Sequence, residues 1–343
     1  MTTINLLDEI ISDEKTTPKQ RIHVEGSHTI ESPEHALIAR IHVLPEVTPG
    51  AKRPKVFGEY ISPSQISKHA RCQATYYFHY GMGLREPTNS ALIFGSALHV
   101  GAEVYLTAKR TTNRSGVDFN HNAAKEAGIE AARMLIRSEV TSDMEWKKQW
   151  QNGPSETFES ILEGVTYGTT MMADNVWQTM NPQAIENGYV IEWKDENVLP
   201  VLGYTDVIDK LESGEEIVRD LKSGKEKKAG DLRADVALTF YAIARGIETG
   251  KTVNKIAYES YARLKEPKHS RVEGELNENI IARAYIRARA LSNSRKLILE
   301  KPQEYITLAD DATKCVSCHY NKGGEDSVCA RTFGSDALEP KED

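Results

Sequence analysis

Cysteine is scarce in this chain, with four in 343 residues. At that length the scarcity excludes the disulfide framework of a small secreted domain and leaves metal binding or plain burial to account for the thiols. Long apolar runs are missing too, so no segment reads as a transmembrane helix and a membrane is not among the expected partners. The opening MTTINLLDEIISDEKTT carries acidic residues early, with no basic stretch leading into an apolar core, and does not read as a secretory signal. These absences lead us to expect a cytoplasmic protein. Positive charge is in deficit as well, with a net charge of −7 and a pI of about 5.9. That argues against a protein that coats nucleic acid through its overall field. It leaves open an enzyme that gathers carboxylates around divalent cations and keeps its positive charge local. The chain also has no glycine-rich phosphate loop of the helicase type, so any unwinding would come from a helicase or recombination partner.

What is present is globular in character: 39% hydrophobic and 27% charged residues, with a mean hydropathy of −0.50. A chain of this size can bury a sizeable core. Residues 1–57 are polar and broken by TTPKQ, ESPEH and VTPGAKRPK, which predicts a disordered tail or loosely attached arm with strand-like pieces at RIHV and ARIHV. From 58 to 110 the chain turns helical, with an aromatic-rich helix opened by Ser-Pro-Ser and a second one in ALIFGSALHVGAEVYLTAKR. Residues 111–187 predict a helical lobe, with amphipathic stretches at 121–138 and 155–181. The core region, 188–309, begins with three strands in GYVIEWKDE, VLPVLGYTDVIDKL and GEEIVRDLKSG. A helix with Leu232, Val236, Phe240, Ile243 and Ile247 on one face follows, then a strand in KIAYESYARL and a long arginine-studded helix. The tail, 310–343, is glycine-containing and holds three of the cysteines.

The strongest chemical signal is Asp206 on one expected strand and Asp220-Leu221-Lys222 on the next. Residues two apart on a strand share a face, so Asp220 and Lys222 project together. Two carboxylates of this kind suit Mg2+ or Mn2+, which polarises a phosphodiester and lowers the pKa of a bound water. The ammonium either orients or deprotonates that water or stabilises developing negative charge. Taken alone, Asp-x-Lys describes many solvated surface pairs. Here apolar residues flank it, and a glycine turn with the basic KEKK segment follows, placed to meet a DNA backbone. Upstream, His99 closes Gly95-Ser96-Ala97-Leu98-His99 on an expected helix, where a neutral imidazole can be a further ligand.

The cysteines allow two readings. Cys315 and Cys318 form a chelating turn, with Cys329 nearby and Cys72 far upstream. His319 would complete a local Zn2+ site with Cys315, Cys318 and Cys329. Alternatively, all four thiolates together hold a 4Fe-4S cluster.

In this order, S-P-S with Cys72 and Tyr76 following, G-x3-H, G-x2-D, and D-x-K before a helix with a tyrosine, the chain resembles the RecB-like branch of the PD-(D/E)XK nucleases. That branch includes the nuclease domain of AddB and the CRISPR-associated exonucleases. Ser62, Ser64 and Cys72 match the opening signature, Gly95 and His99 the first motif, Gly203 and Asp206 the second, and Asp220 and Lys222 the third. The resemblance implies an α/β, mixed α+β fold: a restriction-endonuclease-like core with a mixed sheet flanked by helices, plus the helical lobe and an iron–sulfur staple. It implies that His99, Asp206, Asp220 and the carbonyl of Leu221 hold Mg2+ or Mn2+ and that Lys222 is catalytic. It also implies that Tyr241 contacts DNA and that Glu192 supports the site. Where the family's helix carries Q-x3-Y, this chain has Ala237 at the glutamine position. For the thiols the resemblance implies a 4Fe-4S cluster on Cys72, Cys315, Cys318 and Cys329, with ten residues rather than the family's usual five between the last two. The implied function is a metal-dependent DNA exonuclease acting on single-stranded ends in repair, recombination or replication. The alternative is a non-catalytic DNA-binding adaptor that keeps the fold.

Overall fold

The structure, a computed structural model, describes residues 22–30, 39–49, 53–86, 89–140, 157–224, 226–262, 268–309, 315, 318–322 and 327–333. Its centre is a seven-stranded mixed sheet built from β2 (His28–Ile30), β3 (Ala39–Val43), β5 (Pro182–Trp193), β6 (Val201–Lys210), β7 (Glu216–Ser223), β8 (Lys255–Ala262) and β9 (Lys268–Glu275). The spatial order is β2-β3-β5-β6-β7-β8-β9, while β1 (His23–Val24) and β4 (Val56–Phe57) pair by themselves. Only β7 and β8 run parallel. A parallel pair needs a crossover, and the helices between those two strands supply it.

Helices cover both faces. On one side lie α3 (Ser90–Ser115), α4 (His121–Glu139) and α5 (Phe158–Asn175), whose Leu98, Tyr105, Ile136 and Val165 pack with Val207, Leu221 and Tyr261 of the sheet. On the other lie α1 (Pro63–Arg71), α7 (Val236–Thr249) and α8 (Glu278–Glu300), where Ile66, Phe240 and Tyr285 meet Ile41, Tyr189 and Val201. The expected mixed sheet flanked by helices is therefore present.

Several elements differ from expectation for identifiable reasons. The aromatic-rich helix breaks at Cys72, which is extended, and restarts as the short α2 (Gln73–Tyr76). The segment carrying Leu232 and Val236 splits into α6 (Ala229–Ala234) and α7, because Asp235 turns aside to cap α7 through the Ala237 and Leu238 amides. Strand β9, KHSRVEGE, is absent from the sequence reading; exposed charges alternate there with His269, Ser270, Val272 and Gly274, and the single apolar residue Val272 gives no apolar period to read. The strand expected at ARIHV is present as β3, but it is joined to the central sheet rather than loosely attached, paired residue for residue with β5 from Ala39↔Trp193 to Val43↔Tyr189. Residues 1–21 of the expected arm lie outside the described ones. Finally, α3 is long and apolar enough by length and composition to cross a membrane, contrary to expectation. Its Phe94, Leu98, Ala102, Tyr105 and Leu106 are buried in the protein core.

Candidate active site

Strands β6 and β7 pair in register from Lys210↔Glu216 to Val207↔Arg219. One step further along lie Asp206 and Asp220, where the ladder gives way to a side-chain bond: the Leu221 amide donates to Asp206 Oδ2 at 2.8 Å. The two carboxylates thus sit at a fork between strands. As the strand period predicts, Lys222 lies on the same face as Asp220, with its Nζ 2.5 Å from Asp220 Oδ2.

Two glycines bring the neighbouring elements this close. A Cβ on Gly95 would stand 2.5 Å from the Ser223 hydroxyl, so with glycine there α3 lies against the end of β7 without displacing that side chain. One helical turn later, His99 Nδ1 is 3.6 Å from Asp206 Oδ2. At Gly203 a Cβ would collide with the Tyr189 hydroxyl. Ser62 caps α1, accepting from the Gln65 amide at 3.3 Å, and bonds Ser64 at 2.9 Å.

His99, Asp206, Asp220 and Lys222, with Ser62, Ser64, Gly95 and Gly203, line one cavity of about 900 Å³, together with Tyr241 and Ala237. The structure therefore brings together His99, Asp206, Asp220, Lys222 and Tyr241 as expected. Leu221 enters through its amide. Glu192 does not line the cavity: it accepts from Arg40 Nε at 2.6 Å and bonds His42 Nε2 at 2.9 Å. The His42 bond, with Arg40 beside it, draws the Glu192 carboxyl down to about 2. Of the KEKK segment, Lys225 lies outside the described residues.

Four charged residues at the cavity were not singled out from the sequence: Glu186, Arg53, Glu103 and Asp235. Glu186 is the most informative. Its carboxylate lies with His99 and Asp206 so that one ligand atom from each is within 4.8 Å of the others. It is the one described non-glycine residue with a positive φ, +48°. Left-handed backbone is strained for a side chain of this kind and clusters at functional sites. Burial, and then the negative charge of Asp206, push its carboxyl up to about 7. No sequence motif marks it, because a lone glutamate in QAIENG looks like an ordinary turn residue.

The site is short of positive charge. Arg53 and Lys222 are its only lysine or arginine among the described lining residues, against Glu103, Glu186, Asp206, Asp220 and Asp235. Burial, followed by the charge of Asp206, holds the Asp220 carboxyl well above its usual range. Asp220 Oδ2 is buried against the Lys222 ammonium. Burial works against the Lys222 ammonium, but Asp220 and Asp206 outweigh it and raise its pKa. Tyr241 is pushed upward by burial and then by Asp206 and Asp220. A buried carboxylate beside imidazole and two more carboxylates, with more negative charge than the nearby cations balance, fits a hard divalent cation.

The cysteines meet elsewhere. Cys72, Cys318 and Cys329 pack around Ala74, Phe78 and Tyr320. Burial and then Cys72, Cys318 and Cys315 push the Cys329 thiol up to about 12. None of the four forms a disulfide. Among the described residues, no three of these sulfurs, with or without His319, lie within 4.8 Å of one another.

Residues 60–322 match the family model of the PD-(D/E)XK nuclease superfamily. The chain belongs to that superfamily, whose nucleases use divalent metal ions. Among solved structures it is similar to a putative exonuclease from Eubacterium rectale, at 10% identity over 76% of this chain and 86% of that one, with a TM-score of 0.46. It is also similar to SSO0001, at 13% identity over 54% of this chain and 76% of that one, with a TM-score of 0.25. No curated protein matches the sequence.

Proposed function

We propose that this chain is a DNA exonuclease of the RecB-like branch, dependent on Mg2+ or Mn2+, that hydrolyses phosphodiesters at single-stranded ends in repair, recombination or replication. The observation that carries the reading is the convergence of His99, Asp206, Asp220 and Lys222, from three separate elements, on one charge-deficient cavity. His99, Asp206 and Asp220, with the Leu221 carbonyl, would hold the cation. When bound, it supplies Lewis acidity toward the phosphate and lowers the pKa of a water.

The chain's own residues do the rest. Asp206 is oriented by the Leu221 amide, so the strand fork itself aims one carboxylate. Lys222 is kept protonated by Asp220 and Asp206, which supports a role as an ammonium facing negative charge that develops on phosphate oxygens. Tyr241 stands on α7 at the cavity wall, where its hydroxyl can meet DNA. Beyond the site, the stretches proposed as functional units are the arm at 1–57, the first cysteine and histidine helix at 58–110, the lobe at 111–187, the nuclease core at 188–309 and the cysteine segment at 310–343.

The cysteine corner is proposed to hold a 4Fe-4S cluster on Cys72, Cys315, Cys318 and Cys329. What supports it is that Cys72, from the start of the core, packs with Cys318 and Cys329, from its end, around Ala74, Phe78 and Tyr320. A single zinc, with bonds of about 2.3 Å, would draw its sulfurs closer than this arrangement does. Four thiolates suit a cluster, and hydrolysis moves no electrons, so its part is structural.

The test is a time course on 5′- and 3′-end-labelled single and double strands with Mg2+ and with Mn2+. Release of short products from labelled ends, lost in Asp220→Ala and Lys222→Ala, is the expected result. Wild-type protein with an intact metal centre that cuts nothing under either cation would make it an adaptor. Iron and zinc content of anaerobically purified protein decides the identity of the cysteine-held metal.

A further inference from the structure

The cavity's acidity poses a problem for a phosphodiester substrate. Five carboxylates line it, and an anionic backbone must come to rest among them. Lys222 is already paired with Asp220. The other cation among the described lining residues is Arg53, which precedes β4 and comes from the region whose sequence pointed only to a loose arm.

Arg53 is held in place rather than trailing. The strand that follows it pairs with β1, and Val56 there packs against a cluster of Ile22, Val24, Leu44 and Val190. The guanidinium lies over the Tyr204 ring, 3.9 Å from its centroid. Its Nη2 donates to Glu186 Oε2 at 2.6 Å. Glu186 is the same carboxylate that stands with His99 and Asp206. One edge of the guanidinium is therefore tied to the acidic cluster and one face to an aromatic ring. The side chain is 53% exposed, and a guanidinium has five N–H donors in a rigid fork that matches phosphate oxygens. Stacking on an aromatic face fixes the plane of such a fork before a ligand arrives.

We propose that Arg53 is the phosphate-binding residue of the nuclease site: positioned by Glu186 and Tyr204, it takes the backbone phosphate of the DNA strand whose neighbouring phosphodiester faces Asp206, Asp220 and Lys222. The inference rests on the nuclease reading above and adds a substrate contact from outside its motifs. It also gives the strained backbone of Glu186 a purpose, since the left-handed turn is what places one carboxylate between the cation ligands and Arg53.

The experiment measures anisotropy of a 5′-fluorescein-labelled single-stranded oligodeoxynucleotide with the full chain in Ca2+, across a series of KCl concentrations. Each phosphate contact to a single strand contributes about 0.7 to the slope of log affinity against log salt. Arg53→Ala and Arg53→Gln are expected to weaken binding about tenfold or more and to lower that slope by about 0.7. Arg53→Lys keeps the charge and is expected to restore the slope while recovering only part of the affinity. Thermal melts of each variant establish that it is folded. A slope unchanged in both neutral variants overturns the proposal, because a purely structural arginine would alter affinity without altering the number of phosphate contacts. If wild-type protein cleaves DNA and the neutral variants match it in affinity and slope, this inference alone fails. If wild-type protein neither binds nor cleaves, the nuclease reading fails with it.

Discussion

The hairpin of β6 and β7 carries two clusters of buried charge on opposite faces, and they are built on opposite principles. On one face Asp209 accepts from Arg219 Nε at 2.8 Å, while Arg219 Nη1, Arg271 Nε and His269 Nε2 lie 2.5, 2.7 and 2.7 Å from the two oxygens of Glu259. Every carboxylate there has a cation. On the other face Asp206, Asp220 and Glu186 stand with Glu103 and Asp235 around one cavity whose described lining offers only Lys222, on Asp220, and Arg53, on Glu186. The sequence offsets are small: Asp209 stands three residues after Asp206, and Arg219 immediately precedes Asp220. Because side chains alternate along a strand, those offsets are enough to sort the charges onto different faces. A matched cluster stabilises the fold; an unmatched one is a site waiting for cations from outside.

The largest expected effect breaks the unmatched face chemically. Asp220→Ala and Lys222→Ala should each lower DNA cleavage by about 10²–10³-fold or more, the scale of losing a transition-state contact. The same Asp220→Ala variant, melted without divalent cation, should be at least as stable as wild type because it removes repulsion from Asp206.

Next comes the matched face. Arg219→Leu leaves Asp209 and Glu259 buried without their shared partner, and should cost about 3–5 kcal/mol in urea unfolding. Retained stability in that variant would show that the two faces are not energetically different.

Smaller effects follow pH. The Glu186 carboxyl is raised from 4.5 to about 7, so the folded protein holds a proton that the unfolded chain releases. That contribution is complete below about 4.5 and is lost as pH climbs through about 7. Cation-free protein should therefore lose about 2–3 kcal/mol over this window, and Glu186→Gln should flatten the loss. For Glu192 the sign reverses. Its carboxyl is depressed to about 2, so its contribution is present above about 4.5 and fades as pH falls toward 2. Glu192→Gln should remove only about 1–2 kcal/mol at neutral pH, because its partner Arg40 is one-third exposed.

Legibility in the sequence followed chemical distance along the chain. Asp220 and Lys222 were readable together because strand alternation is local. Gly95 and His99 were readable because a helix repeats every turn, and the structure adds why the glycine is needed. Glu186 and Arg53 were not readable: one owes its place to a single left-handed residue, the other to a contact across 133 positions. Glu192 was readable as a glutamate on the right strand, but six residues along that strand from Glu186 it meets Arg40 and His42 instead.

By itself, then, the sequence determined the mixed α/β class and the order in which the acidic pair, the lysine and the histidine appear. Those depend on periods of two and 3.6 residues, which any segment expresses without knowing its neighbours. Only the tertiary structure decided that the cavity would be short of cations and that Arg53 would be brought to it. Each of these depends on which distant segments pack together once β3 joins the sheet and helices close over both faces, a property of the buried core as a whole.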